Sequence, residues 1–368
     1  MKIGLTTIYS VPNFGSVLQT YATQEILKTL GNEVQIINYK YPNEWHYSHG
    51  VRRSSLKSKV AQLLGIKLQH RKAKKLEWFR KSHLNFTKPY KSLTELENEN
   101  WNNYDTVCVG SDQVWNPRYL LGDAAYMLSY IPDTVNKISI ASSFAVQTIP
   151  ENLVPKYQKY LSRFKALSVR EDNGKEIINN ELNIKQPVEV LLDPTLLLNK
   201  SEWIKIASYK KCPKQNYILI YMLTYAFEPR PFIFDVISYF KEKYHYEVVV
   251  LEGHKEAKSS GINMTNVENS TIEEFLGLFH NASLVITTSF HGTAFAANLG
   301  RPLVSVVPPN NGDDRQSSLL KRLGLEQCIA YMNKPIENIQ PFYNQEQEQQ
   351  KLDTIREQNK QWIKNMIL

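Results

Sequence analysis

The 368-residue sequence has only three cysteines, Cys108, Cys212 and Cys328, far apart and with no CxxC pair. That spacing excludes a disulfide framework and the usual structural zinc site. No apolar run approaches the roughly 18–20 residues that a membrane helix needs. The N-terminus reads Met-Lys and then a short strand, without a secretory h-region, so a cytoplasmic protein is expected. The phosphate-cradling fingerprints GxGxxG and GxxxxGK[ST] do not occur, and neither does the GxSxG nucleophile elbow. With 15 Gly, 17 Pro, 42% hydrophobic and 22% charged residues, the chain is neither disordered nor collagen-like. At roughly 100–200 residues per domain, its length suits two domains.

What is present in excess is positive charge, in one place. The formal net charge is +8, from 44 Lys and Arg against 36 Asp and Glu. Eleven of those bases and a single acid, Glu77, fall between Arg52 and Lys81. The rest of the chain then holds 33 bases against 35 acids and is slightly acidic. Leu56, Val60, Leu63 and Leu64 repeat at helical spacing inside the basic stretch, and Trp78 and Phe79 follow. The segment reads either as a solvated helical excursion (46–100) or as an amphipathic element for an anionic membrane or substrate. Nucleic acid is the weakest reading, since no zinc-finger spacing or RRM signature accompanies the charge.

Apolar runs alternate with helical patterns along both halves. Strands are expected at 2–8, 33–38, 106–109, 137–143, 166–169 and 188–192, with helices at 16–30, 152–164 and 173–180 between them. In the second half the expected strands are 217–223, 247–251, 284–287 and 303–307, and the helices 232–244, 272–280, 293–299, 317–323 and 345–367. The alternation implies an α/β fold of two Rossmann-like domains with parallel sheets facing a cleft. The expected division is 1–198, 199–340 and a C-terminal helix, 341–368, packing back on the first domain.

Chemistry-bearing residues gather after strands. Thr287-Thr288-Ser289-Phe290-His291-Gly292-Thr293 places a histidine on a turn from which Gly292 is expected to open a helix, suiting an anion held by free N–H groups. Ser289 and Thr293 offer hydroxyls, and the plain alternative is that His291 only caps the helix. Arg170, in Ser168-Val169-Arg170-Glu171-Asp172, suits a carboxylate or phosphate, or else a structural ion pair with an aspartate. Gly110-Ser111-Asp112-Gln113-Val114-Trp115-Asn116 offers Ser111, Asp112, Gln113, Trp115 and Asn116 to a polyol. Asn13-Phe14-Gly15-Ser16, with Gln19 beyond it, is a further anion or sugar contact. Arg315 and Ser317 precede or open a helix and could face a phosphate. Asp313 and Asp314 are adjacent rather than two apart, which argues against a metal.

Taken in order, these segments, with Asp193-Pro194-Thr195 and Arg315-Gln316-Ser317-Ser318-Leu319, resemble the polysaccharide pyruvyl transferase family from residue 2 to about 325. The resemblance implies a glycosyltransferase-B-like fold and transfer of the enolpyruvyl unit of phosphoenolpyruvate to two sugar hydroxyls. The products would be a cyclic ketal and phosphate, and the acceptor a surface polysaccharide or its lipid-linked precursor. His291 and Arg170 match the positions usually singled out in that family. Some members carry an arginine two residues before the histidine, where this chain has Ser289. The expected roles are acid/base for His291, donor binding for Arg170, Ser289, Gly292, Thr293, Arg315 and Ser317, and acceptor contact for Asp112. Asn13, Gly15, Ser16, Gln19, Ser111, Gln113, Trp115 and Asn116 would complete the acceptor side. Phosphoenolpyruvate is then a co-substrate, and neither a cofactor nor a metal is demanded. Two other readings stand beside this one. A sugar-nucleotide glycosyltransferase would need an acidic residue after the histidine turn for the donor ribose, and Glu326 comes late. A non-catalytic glycan-binding protein would bind acceptor alone.

Overall fold

The computed structural model describes residues 1–39, 72–253, 260–309 and 313–368. Most of the basic stretch, including the helical repeat expected at 56–64, lies outside the described residues. Two compact units are present: Met1–Leu197 with Glu357–Leu368, and Leu198–Arg356.

The first unit is built on a seven-stranded sheet ordered β3-β2-β1-β4-β5-β6-β7, every pairing parallel. Its strands are β1 Lys2–Thr6, β2 Glu33–Tyr39, β3 Phe86–Tyr90, β4 Thr106–Asp112, β5 Asn136–Ser142, β6 Leu167–Val169 and β7 Val188–Val190. Its principal helices are α1 (Phe14–Thr29), α2 (72–83) and α3 (Val154–Leu161). The second unit has a six-stranded parallel sheet ordered β10-β9-β8-β11-β12-β13. These strands are β8 Tyr217–Tyr221, β9 Glu247–Leu251, β10 Thr265–Val267, β11 Leu284–Thr287, β12 Leu303–Val307 and β13 Ile329–Tyr331. Between and after them run α4 (Phe232–Tyr244), α5 (Ile272–Asn281), α6 (Phe290–Asn298), α7 (Arg315–Leu323) and α8 (Gln345–Ile367).

The central strands are short continuous apolar runs because helices cover both faces of such a sheet. Every residue of Tyr217–Tyr221 and of Leu303–Val307 is buried. β4 departs from this composition: Thr-Val-Cys-Val is followed by Gly-Ser-Asp, and all seven residues are buried. The strand thus carries polar side chains into the interior at its carboxyl end. The end of α8 belongs to the first unit, where Asn359 Oδ1 accepts from Leu192 N at 2.7 Å and Ile367 O accepts from Thr106 Oγ1 at 3.2 Å. Among the described residues no helix is long and apolar enough to cross a membrane.

The structure departs from the expected elements in three ways. Strands β3, β10 and β13 are not among the expected elements and each lies at a sheet edge: β3 and β10 carry mixed sequences, and β13 is an apolar piece of only three residues. The helix expected at 173–180 is a single turn, Asp172–Glu176, followed by a wider turn in which Leu182 N bonds to Ile177 O. α6 begins at Phe290, three residues earlier than expected, which changes the reading of the histidine turn.

Candidate active site

At the carboxyl ends of β4 and β6 the first unit buries a polar network centred on Arg170. Its NH1 donates to Asp193 Oδ2 at 2.7 Å, and its NH2 donates to Asp112 Oδ1 at 3.3 Å. Arg170 and Asp193 side chains are fully buried, and Asp112 nearly so. Asp193 also accepts from Ser111 Oγ at 2.8 Å, from Thr195 N at 3.0 Å and from Thr195 Oγ1 at 2.7 Å. Asp112 Oδ2 accepts from Ser16 Oγ at 2.7 Å, and its Oδ1 from Gln113 N at 2.9 Å. Glu171 accepts from Ser143 Oγ and from the Phe144 and Ala145 amides at 2.8–3.2 Å, which ties the loop after β5 to the end of β6.

Local backbone geometry makes this packing possible. Gly110 has φ +134°, and a Cβ there would stand 2.1 Å from Ile140 O, so only glycine lets β4 pass so close to β5. Asp112 adopts φ 70°, a left-handed conformation uncommon for an aspartate. Bonds from Ser16, Gln113 and Arg170 hold its carboxylate in that place. Asn13 caps α1, accepting from Gly15 N at 2.8 Å, and so presents Ser16 in the first turn. Gln19 is wholly buried: its amide donates to Thr7 Oγ1 and Ile8 O, and its carbonyl accepts from Ser111 N at 3.1 Å.

The second unit carries the histidine turn at the carboxyl end of β11. Ser289 is the N-cap of α6 and accepts from Gly292 N at 3.3 Å. His291 therefore does not cap the helix; it lies inside the first turn, and so does Gly292. A Cβ on Gly292 would come 2.3 Å from Thr287 Oγ1, so the glycine lets helix and strand approach. Thr293 is fully buried, its hydroxyl 2.8 Å from Ser305 Oγ and donating to Ser289 O. Gln316 donates to Ser305 Oγ at 2.7 Å, joining α7 to the same cluster. His291 is 7% exposed, its ring set edge-on to Phe290 with centroids 5.3 Å apart. Arg315 also lies against Phe290, its guanidinium carbon 5.7 Å from the ring centroid, within cation–π range. Both carboxylate oxygens of Asp313 accept from Arg315, through Nε and NH2.

Several residues expected to face ligand take other positions. Trp115 is fully buried and donates to Tyr126 O at 2.9 Å, so it anchors the loop from within the core. Gln19 and Thr293 likewise act inside the scaffold. Asn116 caps the short helix Pro117–Leu120, and its amide donates to Gln113 Oε1 at 2.6 Å. Ser317 Oγ donates to Asp314 O at 3.0 Å. Asp112, Arg170, Ser16 and Ser111 converge on one network of the first unit, while Ser289, His291, Gly292 and Arg315 surround one helix start in the second. The expected trio of His291, Arg170 and Asp112 is thus divided between two units. Asp193 and Gln316 had no expected role, although both stand in segments that carried the resemblance. Among the described residues, no group of three or more His, Cys, Asp or Glu is gathered for a metal.

A family model for polysaccharide pyruvyl transferase matches residues 13–310, more than three quarters of the chain, including the Arg170 network and the histidine turn but not Asp313, Arg315 or α7. The chain belongs to the polysaccharide pyruvyl transferase family. Membership marks the protein as a transferase. No match is found among curated proteins. The fold is similar to that of a Neisseria meningitidis UDP-GlcNAc 2-epimerase solved with UDP-GlcNAc (16% identity, 92% of this chain and 89% of that one, TM-score 0.51). It is also similar to a Listeria monocytogenes protein assigned as a UDP-N-acetylglucosamine 2-epimerase (12% identity, 97% and 90%, TM-score 0.53). Arabidopsis thaliana UGT89C1, solved with quercetin, is a third (10% identity, 100% and 99%, TM-score 0.50). At such identities the likeness concerns fold alone. This pyruvyl transferase family member is therefore a pair of parallel α/β units of the glycosyltransferase-B type.

Proposed function

We propose that the protein transfers the enolpyruvyl unit of phosphoenolpyruvate to two hydroxyls of a sugar, forming a cyclic pyruvate ketal and releasing phosphate. The observation that carries the reading is the buried start of α6, capped by Ser289, where His291 and Arg315 both lie near the Phe290 ring. A helix N-terminus and a guanidinium both favour an anion, and imidazole is the side chain best suited to move a proton near neutral pH. Arg315 takes the cationic role at this turn, where some family members carry an arginine at the position of Ser289.

Charge divides the roles further. Arg170 faces Asp193 and Asp112 at hydrogen-bond distance, so an anion approaching it competes with two buried carboxylates. Its part is then to orient those carboxylates, and donor binding falls to the second unit. Asp112, held by Ser16 and Arg170, is the acceptor-side group suited to receive a hydroxyl hydrogen bond.

The chemistry balances as follows. His291 in its protonated form delivers a proton to the terminal CH2 of the donor, giving a methyl group and an oxocarbenium-like C2. A sugar hydroxyl adds to C2 and its proton returns to the imidazole. The second hydroxyl then forms the other C–O bond at C2 while the C–O bond to phosphate breaks, and its proton leaves with phosphate. One well-placed acid/base supplies about 10²–10⁴-fold. The decisive experiment incubates the protein with phosphoenolpyruvate and lipid-linked galactosyl or mannosyl acceptors. Phosphate release together with an acceptor mass gain of one pyruvate less water is expected. Absence of both, with UDP- or GDP-sugar stabilising the protein instead, would overturn the reading.

A further inference from the structure

We infer that the outer face of α2 is a docking surface for an anionic lipid bilayer, beside the turn assigned to the acceptor. The helix 72–83 holds five bases, Lys72, Lys74, Lys75, Arg80 and Lys81, against one acid, Glu77. Its inner side is fixed to the first unit. Leu76 and Phe79 are buried, and Phe79 packs edge-on to Tyr21 of α1 at 5.6 Å. Arg80 is buried as well, its NH1 donating to Tyr9 O at 2.9 Å and Ser10 O at 3.1 Å. Lys72 Nζ lies 4.4 Å from the ring centroid of Phe14, the first residue of α1. The helix is therefore latched to the segment that runs from β1 to Asn13 and Ser16.

The opposite side repeats at helical spacing: Lys74, Trp78, Lys81 and Ser82 are all exposed. Trp78 is 60% exposed, the most exposed aromatic side chain among the described residues. The single acid on this helix is already engaged, Glu77 lying 2.9 Å from Arg80 and 3.7 Å from Lys81. An exposed indole between lysines is the composition of an element lying in a membrane interface, where the ring sits at headgroup depth and the ammonium groups meet anionic lipid. A nucleic acid could also meet the lysines and stack a base on the indole, but no zinc-finger spacing or RRM signature accompanies this face, and an acidic protein gives no reason for the exposed tryptophan. The docking stands on this face alone. That it serves a lipid-linked acceptor rests on the proposed function.

The test is co-sedimentation of the full-length protein with phosphatidylcholine vesicles, with and without phosphatidylglycerol, and fluorescence with brominated lipid. Binding is expected only with phosphatidylglycerol, weakened by high salt. Lys74→Glu with Lys81→Glu should weaken it by about thirty-fold or more, at roughly five-fold per cationic side chain lost. Brominated lipid should quench the emission of Trp78, identified as the difference between wild type and Trp78→Phe. Unchanged vesicle binding in the double variant, or quenching unaltered by Trp78→Phe, would overturn the docking, as would equal binding to neutral vesicles. Melting temperatures of both variants, expected to match wild type, show that any loss is not unfolding. Vesicle binding without ketal formation refutes the proposed function and leaves the docking standing; ketal formation without vesicle binding does the reverse.

Discussion

The two polar centres of this protein are opposite in character. The first unit buries one guanidinium among three carboxylates, those of Asp112, Glu171 and Asp193, so its centre is rich in hydrogen-bond acceptors. The second unit offers a helix start, an imidazole and a guanidinium bonded to Asp313, so its centre is rich in donors. Under the proposed function, a sugar hydroxyl would need an acceptor and a phosphate would need donors, which the two centres would supply separately. The two arginines are similarly buried but bond differently: Arg170 donates to Asp193 and Asp112, from distant parts of the chain, and Arg315 to Asp313, two residues away.

Four experiments can break or sharpen that contrast. The largest effect is expected from His291→Ala, which should lower the rate of phosphate release about 10²–10⁴-fold while leaving the melting temperature close to wild type. Arg170→Met should act mainly on folding, costing about 3–5 kcal/mol in chemical denaturation because Asp193 and Asp112 are left buried without their cation. Replacing Asp193 with Leu in that background should recover part of the loss, a coupling that a double-mutant cycle reads directly. Arg315→Met should raise KM for phosphoenolpyruvate about ten-fold or more with a smaller change in stability, since a donor contact rather than a scaffold is removed. If Arg170→Met instead raised KM with stability intact, the assignment of the two arginines would have to be exchanged.

The smallest effect concerns a carboxyl outside both centres. Burial raises Glu348 to a pKa of about 7, and its Oε1 has no hydrogen-bond partner. The unfolded chain loses this proton near pH 4.5 while the folded one keeps it, so stability falls as pH rises from about 4.5 to 7. Glu348→Gln should flatten that slope and stabilise the protein by about 2 kcal/mol at pH 8, measured by denaturant titration across pH. His280 works in the other direction. Burial lowers its pKa to about 4, so stability falls as pH drops from about 6.5 toward 4, and Glu348→Gln should leave that limb unchanged.

Much of the scaffold was legible because parallel strands covered on both faces are continuous apolar runs. Leu284–Thr287, Leu303–Val307 and Glu247–Leu251 have the bounds expected from composition. The strands that escaped notice, Phe86–Tyr90, Thr265–Val267 and Ile329–Tyr331, are edges with one neighbour each. The first two bury little, and the edge position tolerates Pro89, so they show no clear pattern; Ile329–Tyr331 is apolar but only three residues long. The site was legible as a set of turns after strands, and the histidine turn, the Gly-Ser-Asp segment and the arginine after β6 all lie there. What each side chain touches was not. Trp115 is expected as an acceptor contact, yet it is fully buried and bonds to Tyr126 O.

The sequence by itself determined the order of strands and helices, the turns that hold chemistry, the family, and the confinement of excess positive charge to thirty residues. Those are local properties, written in apolar period, in glycine placement and in residue type. Tertiary structure decided which groups neutralise one another. Ser16 meets Asp112 across 96 residues, Arg170 meets Asp112 across 58, and Asp193 comes back across 23 to the same guanidinium. No local pattern encodes such pairings, because they depend on parallel strands bringing their carboxyl ends side by side. Which carboxylates face a buried arginine is settled there, by the strand ends that the sheet brings together.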